Sequence, residues 1–211
     1  MNFLKVFFLS CVSTVILSCG ENSTEPANTG QLLPSEAGNY FNYDNSFYEP
    51  DGTIREVVRD TVIVSSLTMK FDNEHWFGLQ YYFSNSSTRI IDTDFWLNKT
   101  DGLWQRGGPY GGASHIAKFP AQAGERFLKT RDTSYGGTVL ETFRKVISTN
   151  TSITVPAGTF AVHVYKDETG GASSILKTDY YAPGRGLIKS EIYGLDGKLL
   201  RVSELAEFGK K

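Results

Sequence analysis

The chain has 211 residues, with 21 Lys and Arg against 23 Asp and Glu, a formal net charge of −2. So even a balance, without like-charge runs, supplies no clustered basic surface and argues against a nucleic-acid partner. Aromatic residues make up 13%, and the two cysteines, Cys11 and Cys19, are too few for a disulfide framework.

The N-terminus opens with Lys5, followed by an uncharged, largely apolar run over residues 6–17. That run is far below the ~20 residues a membrane-spanning helix needs, so it reads as the apolar region of a signal peptide. It ends in Ile16-Leu17-Ser18-Cys19, followed by Gly20. A small residue just before a cysteine at the cleavage point resembles the lipobox of bacterial lipoproteins. The resemblance implies removal of residues 1–18, a diacylglyceryl group on the Cys19 thiol and fatty acylation of its new amine. Cys19 is then a membrane anchor, and two or three acyl chains hold far better than one. Gly20 lies where aspartate signals inner-membrane retention in some bacteria, so the resemblance favours the outer membrane. Cleavage also removes Cys11, and the mature chain can form no internal disulfide.

Residues 20–38 are rich in Glu, Asn, Ser, Thr, Pro, Ala and Gly, with only Leu32-Leu33 to bury. This composition predicts a flexible tether over 19–38, leaving 39–211 as a single β-rich domain. From there the pattern has a period of two. Val58, Val62 and Val64 share one strand face; His75, Phe77, Leu79 and Tyr81 share another; Thr93, Phe95 and Leu97 alternate with Asp92, Asp94 and Trp96. Turn chemistry separates these runs at Pro50-Asp51-Gly52, Asp72-Asn73, Asn85-Ser86-Ser87, Asp101-Gly102, Gly136-Gly137, Gly170-Gly171 and Asp196-Gly197. The expected fold is all-β, an antiparallel meander of about ten strands closed into a barrel or curled into a deep open sheet.

Two turns carry further information. In Val155-Pro156-Ala157-Gly158-Thr159-Phe160, proline presets φ for the turn and Gly158 can take a positive φ. In Tyr180-Tyr181-Ala182-Pro183-Gly184-Arg185-Gly186-Leu187-Ile188-Lys189, Pro183-Gly184 suits a type II turn and Gly186 allows a bulge. Together they resemble a pattern of secreted and lipid-anchored bacterial β-proteins, departing from it at Ile188, where valine is usual. The resemblance covers the C-terminal third, implies an extracytoplasmic β fold and transfers no catalytic residue.

Chemistry-bearing groups are sparse. His75, His115 and His163 are far apart in sequence with no ligand-spaced partner, so no metal and no cofactor is expected. Gly107-Gly108-Pro109-Tyr110-Gly111-Gly112 lacks the Lys-Ser/Thr of a phosphate loop and reads as a surface loop. Asp92 and Asp94 share a strand face at a separation compatible with carboxylate-pair glycoside chemistry, but a solvated strand face is the preferred reading of the pair. The aromatic residues cluster, and Trp76, Trp96, Trp104 and Tyr110 are the candidate contact surface for an apolar, glycan or protein ligand. The leading expectation is a non-enzymatic, lipid-anchored, ligand- or partner-binding β-domain. The alternatives are an envelope glycan hydrolase using Asp92 and Asp94, or a structural subunit of an envelope assembly.

Overall fold

Inward and outward side chains alternate through nearly every segment between the turns, and each such segment is a strand. The computed structural model describes residues 30–83, 92–108, 111–133, 139–168 and 175–211. Its strands are β1 (Asn39–Tyr48), β2 (Ile54–Phe71), β3 (Glu74–Phe83), β4 (Asp92–Lys99), β5 (Gly102–Arg106) and β6 (Ala113–Lys118), followed by β7 (Arg126–Thr133), β8 (Val139–Val155), β9 (Gly158–Asp167), β10 (Ile175–Ala182), β11 (Gly186–Gly194) and β12 (Leu199–Lys210). They form one antiparallel sheet in the order β6-β5-β4-β3-β2-β1-β12-β11-β10-β9-β8-β7. This is the expected meander, curled into a nearly closed barrel. It has twelve strands rather than about ten, because β5 and β6, at 5 and 6 residues, are too short to display a period.

The seam is not between the first and last strands. β1 and β12 pair from Asn39–Lys210 to Phe47–Arg201. The gap in the ladder falls between β6 and β7, consecutive in sequence and joined by residues 119–125. Side chains close it. Arg144 on β8 donates from Nη1 to the Ile116 carbonyl at 2.8 Å, and the Tyr165 hydroxyl on β9 donates to the Lys118 carbonyl at 2.7 Å. The His115 and Phe127 rings meet across the gap at 4.8 Å. Two carbonyls of an edge strand thus find donors without a backbone partner.

The inner face is apolar, with Phe41, Val62, Val64, Phe77, Leu79, Trp96, Leu103, Ile188 and Leu205 in one buried cluster. The outer face carries charge: Asp44 lies between Glu204 and Arg59 in register, and Arg59 grips its carboxylate with two hydrogen bonds of 2.7 and 2.8 Å. Such rungs are those of a barrel in water, not of one facing lipid.

Leu32 and Leu33 belong to the same core, at 1% and 5% exposure. The Asn98 side chain holds both backbone groups of Leu33, accepting from its N–H at 3.2 Å and donating to its carbonyl at 2.8 Å. The Gly184 N–H donates to the Gln31 carbonyl at 2.8 Å. The packed unit therefore begins by Gln31, and the tether boundary expected at Gly38 lies too late. Average composition hides two leucines, each worth about 1.5–3 kcal/mol on burial.

Both singled-out turns form. Pro156-Ala157 is a two-residue loop between paired Val155 and Gly158, whose φ is +130°. Gly184 has φ +71°, and a register shift between Tyr180 and Tyr181 marks the bulge on β11. Gly186, at φ +91°, has a second reason to lack a side chain: a Cβ there would lie 2.7 Å from Leu33 Cδ1. This hairpin is the seat of the N-terminal plug. The turns expected at 85–87, 136–137 and 170–171 lie outside the described residues.

Candidate functional site

The inner face changes character on β7–β10, where charge replaces leucine. Arg144, fully buried, donates from Nε to Asp167 Oδ1 at 2.6 Å and lies 2.9 Å from Asp179 Oδ2. Lys129 adds a 2.8 Å bond to Asp167, and Lys177 lies 3.2 Å from Asp179. Burial alone would raise the Asp179 carboxyl, but the Lys177 and Arg144 charges outweigh it and hold it at about 2. Burial and the neighbouring Arg144 charge lower Lys129 against the pull of Asp167. Beside them Tyr43 and Tyr181 are kept neutral by burial and by the Asp179 charge, and the Tyr43 hydroxyl donates to the Leu187 carbonyl at 2.9 Å. Each charge of this cluster is met by another, and the cluster fastens β7, β8, β9 and β10 together.

Asp92 and Asp94 pair with Tyr81 and Leu79, on the inner-face parity of β4. Asp92 is exposed and Asp94 half-buried. Burial raises Asp94 from 3.8, the Gln105 side chain (2.7 Å) opposes this, and the Asp92 charge adds to it. A raised folded pKa means the native state holds the proton more tightly, so stability is lost as pH rises through that window. Asp94→Asn should therefore raise the Tm near about pH 7 and leave it unchanged near about pH 3, in paired thermal melts.

The tryptophans do not form a contact surface. Trp96 is 8% exposed and sits in the barrel core opposite Phe77. Trp76, at 1%, lies on the other face of β3, edge-on to Phe71 at 6.1 Å and beneath Arg106 at 5.8 Å. Lys99 stands between Trp76 and Trp104, its Nζ 5.6 and 5.0 Å from the two rings, and pairs with Glu74 at 2.7 Å. Trp104 stacks on His115 at 4.5 Å and donates from Nε1 to Asp101 at 2.9 Å. The expected Trp76–Trp96–Trp104 surface is thus corrected for Trp76 and Trp96, which are buried on opposite faces of the sheet; Trp104 is half-buried. Tyr110, Pro109 and Cys19, the expected anchor, lie outside the described residues.

The histidines stay apart. His75 is exposed opposite Lys70, His115 packs at the seam, and His163 faces Phe119 at 5.2 Å. Burial lowers the pKa of both His115 and His163. Among the described residues no three His, Cys, Asp or Glu side chains gather as a metal site. Arg144, Asp167 and Asp179 are the charged residues that sequence reading missed. Their signal was there: Arg144 shares a face with Val146, and Asp179 with Tyr181, so each is a charge on an apolar stripe.

Two solved structures are similar over most of their length. One, from Bacteroides fragilis NCTC 9343, is provisionally described as an exported protein with a YmcC-like fold; it is 13% identical, with a TM-score of 0.49, over 85% of this chain and 99% of that one. Another, from Parabacteroides distasonis ATCC 8503, is provisionally described as a lipoprotein; it is 16% identical, with a TM-score of 0.48, over 85% of this chain and 98% of that one. No family model and no curated protein sequence matches this chain.

Proposed function

We propose that the protein is a bacterial lipoprotein, held through acylated Cys19 to the outer membrane and carrying an extracytoplasmic barrel that binds a ligand or partner rather than catalysing a reaction. The observation that carries this reading is the plug: the segment following the lipobox ends with Leu32 and Leu33 inside the barrel, clamped by Asn98 and Gly184. A chain pulled at Cys19 would thus load the core and not a frayed strand. Partner binding is supported at the opposite end. There the neighbouring β1–β2 and β11–β12 hairpins expose Ile54 (56%), Val57 (59%), Leu195 (63%) and Leu200 (41%). Apolar side chains grouped on adjoining hairpins are the usual mark of a covered surface.

Mass spectrometry of the protein from its native cells should find a mature chain starting at Cys19, with a diacylglyceryl thioether and an acylated amine. An intact residue 1–18 leader or a bare thiol would overturn the anchor. The raised pKa of Asp94 beside ionisable Asp92 supports a second reading, an acid and its partner in glycan hydrolysis. In that case both Asp92→Asn and Asp94→Asn lose hydrolysis of envelope polysaccharide, and retained turnover in either removes the reading.

A further inference from the structure

Behind the buried Arg144 cluster, on the outer face of the same strands, charge is arranged differently. Arg126, Lys145 and Lys166 stand side by side in one rung across β7, β8 and β9. Lys145 and Lys166 are paired in register, so two exposed lysines oppose each other with Cβ atoms about 5 Å apart. Among the described residues neither of them has an ion pair. They line a hollow of about 500 Å³ together with Ile147, Asp167, Glu168 and Leu176. Its two carboxylates are already taken. Asp167 is held by Arg144 and Lys129, and Glu168 by Arg126, which is itself stacked 3.6 Å over the Phe143 ring. Residues 134–138 and 169–174, which join these strands in sequence, include no Asp or Glu to supply another. Like charges directly opposed destabilise a sheet, so the pair works against folding as it stands.

We infer that this hollow binds a phosphomonoester, with the phosphoryl group between Lys145 and Lys166 and its organic carrier against Ile147 and Leu176. The inference goes beyond the reading above and needs neither the anchor nor the apolar hairpins. Charge is the first argument. A phosphomonoester carries about −1.5 to −2 at neutral pH, which matches two uncompensated lysines, whereas a carboxylate leaves one of them unmatched. Shape is the second. Ammoniums from two strands approach an oxyanion from separate directions, which suits the three oxygens of a tetrahedral group. A planar carboxylate is instead the partner that an arginine fork fits. The apolar wall is the third. Ile147 is 48% exposed, and with Leu176 it offers surface that an organic carrier covers and a free phosphate leaves wet.

The test is an amide NMR titration of the protein purified in detergent from its native cells, with hexyl phosphate as the probe. The amides of 145–147, 166–168 and 176 should shift and saturate. Inorganic phosphate, without the carrier, and hexanoate, without the second charge, should each bind about tenfold more weakly. Lys145→Gln and Lys166→Gln should each weaken hexyl phosphate about tenfold, and each should raise the Tm of the ligand-free protein because the repulsion is relieved. Lysines that merely support the sheet would lower the Tm when replaced. Absence of saturable shifts, binding that survives both substitutions, or hexanoate binding as tightly as hexyl phosphate overturns the proposal. Equal affinity for inorganic phosphate assigns the hollow to the free ion and overturns the ester. Neither readout involves Cys19 or the exposed hairpins, so failure here leaves the anchored reading standing, and a bare thiol at Cys19 leaves this site untouched.

Discussion

Arg144→Met should cost about 3–5 kcal/mol of stability near neutral pH, the range for removing one partner from a buried ion pair. The side chain has three partners, Asp167 at 2.6 Å, Asp179 at 2.9 Å and the Ile116 carbonyl at 2.8 Å, and methionine replaces none of them. Two carboxylates would be left with Lys129 and Lys177 alone, and β6 would lose a donor across the seam. The pH dependence separates charge from shape. In the native protein the depressed Asp179 contributes stability that is present above 3.8 and lost as pH falls toward about 2. Without Arg144 the burial effect on Asp179 gains weight and its pKa rises, so the variant should recover as the carboxyl is protonated. Urea unfolding at about pH 7 and about pH 4 should therefore show the gap narrowing on acidification. A gap independent of pH would mean that only side-chain volume was lost.

Gly186→Ala is the second large effect, and its two causes can be measured apart. At φ +91° alanine carries strain of about 1–3 kcal/mol wherever it sits. Its Cβ would also lie 2.7 Å from Leu33 Cδ1, so either the hairpin or the plug must shift. Leu33→Ala alone leaves a hole in the core and should cost about 2–5 kcal/mol. In the double variant the clash is gone, so the Gly186→Ala step should cost less than in the native background, by the steric part only. Strict additivity in a double-mutant cycle would show that Leu33 does not press on this hairpin in solution.

What could be read along the chain was whatever is decided locally. Alternation at β3 and β4 and the Pro183-Gly184 and Pro156-Ala157 turns depend on neighbours in sequence, through strand geometry and allowed φ. They were legible, as was the parity that puts Asp92 and Asp94 on one face. Beyond parity, local pattern is silent. It separates Trp76 from Phe77 but does not say that Arg106 and Lys99 would cover the Trp76 ring or that Trp96 would enter the core, so these two tryptophans were misplaced on a surface. A composition average over residues 20–38 could not register that two adjacent leucines find a core waiting, with the Asn98 side chain to hold both backbone groups of Leu33 and the Gly184 N–H to hold Gln31.

By itself, then, the sequence determined that this is a β protein with a lipobox-like start, hairpin turns at known places and an even charge. These follow from backbone geometry and side-chain chemistry within a few residues. Only the tertiary structure decided that β1 closes on β12, that the seam opens between β6 and β7, and that Arg144 bridges it. Those outcomes depend on strands from opposite halves of the chain coming into register, and the free energy that selects them belongs to contacts that do not exist until the barrel closes.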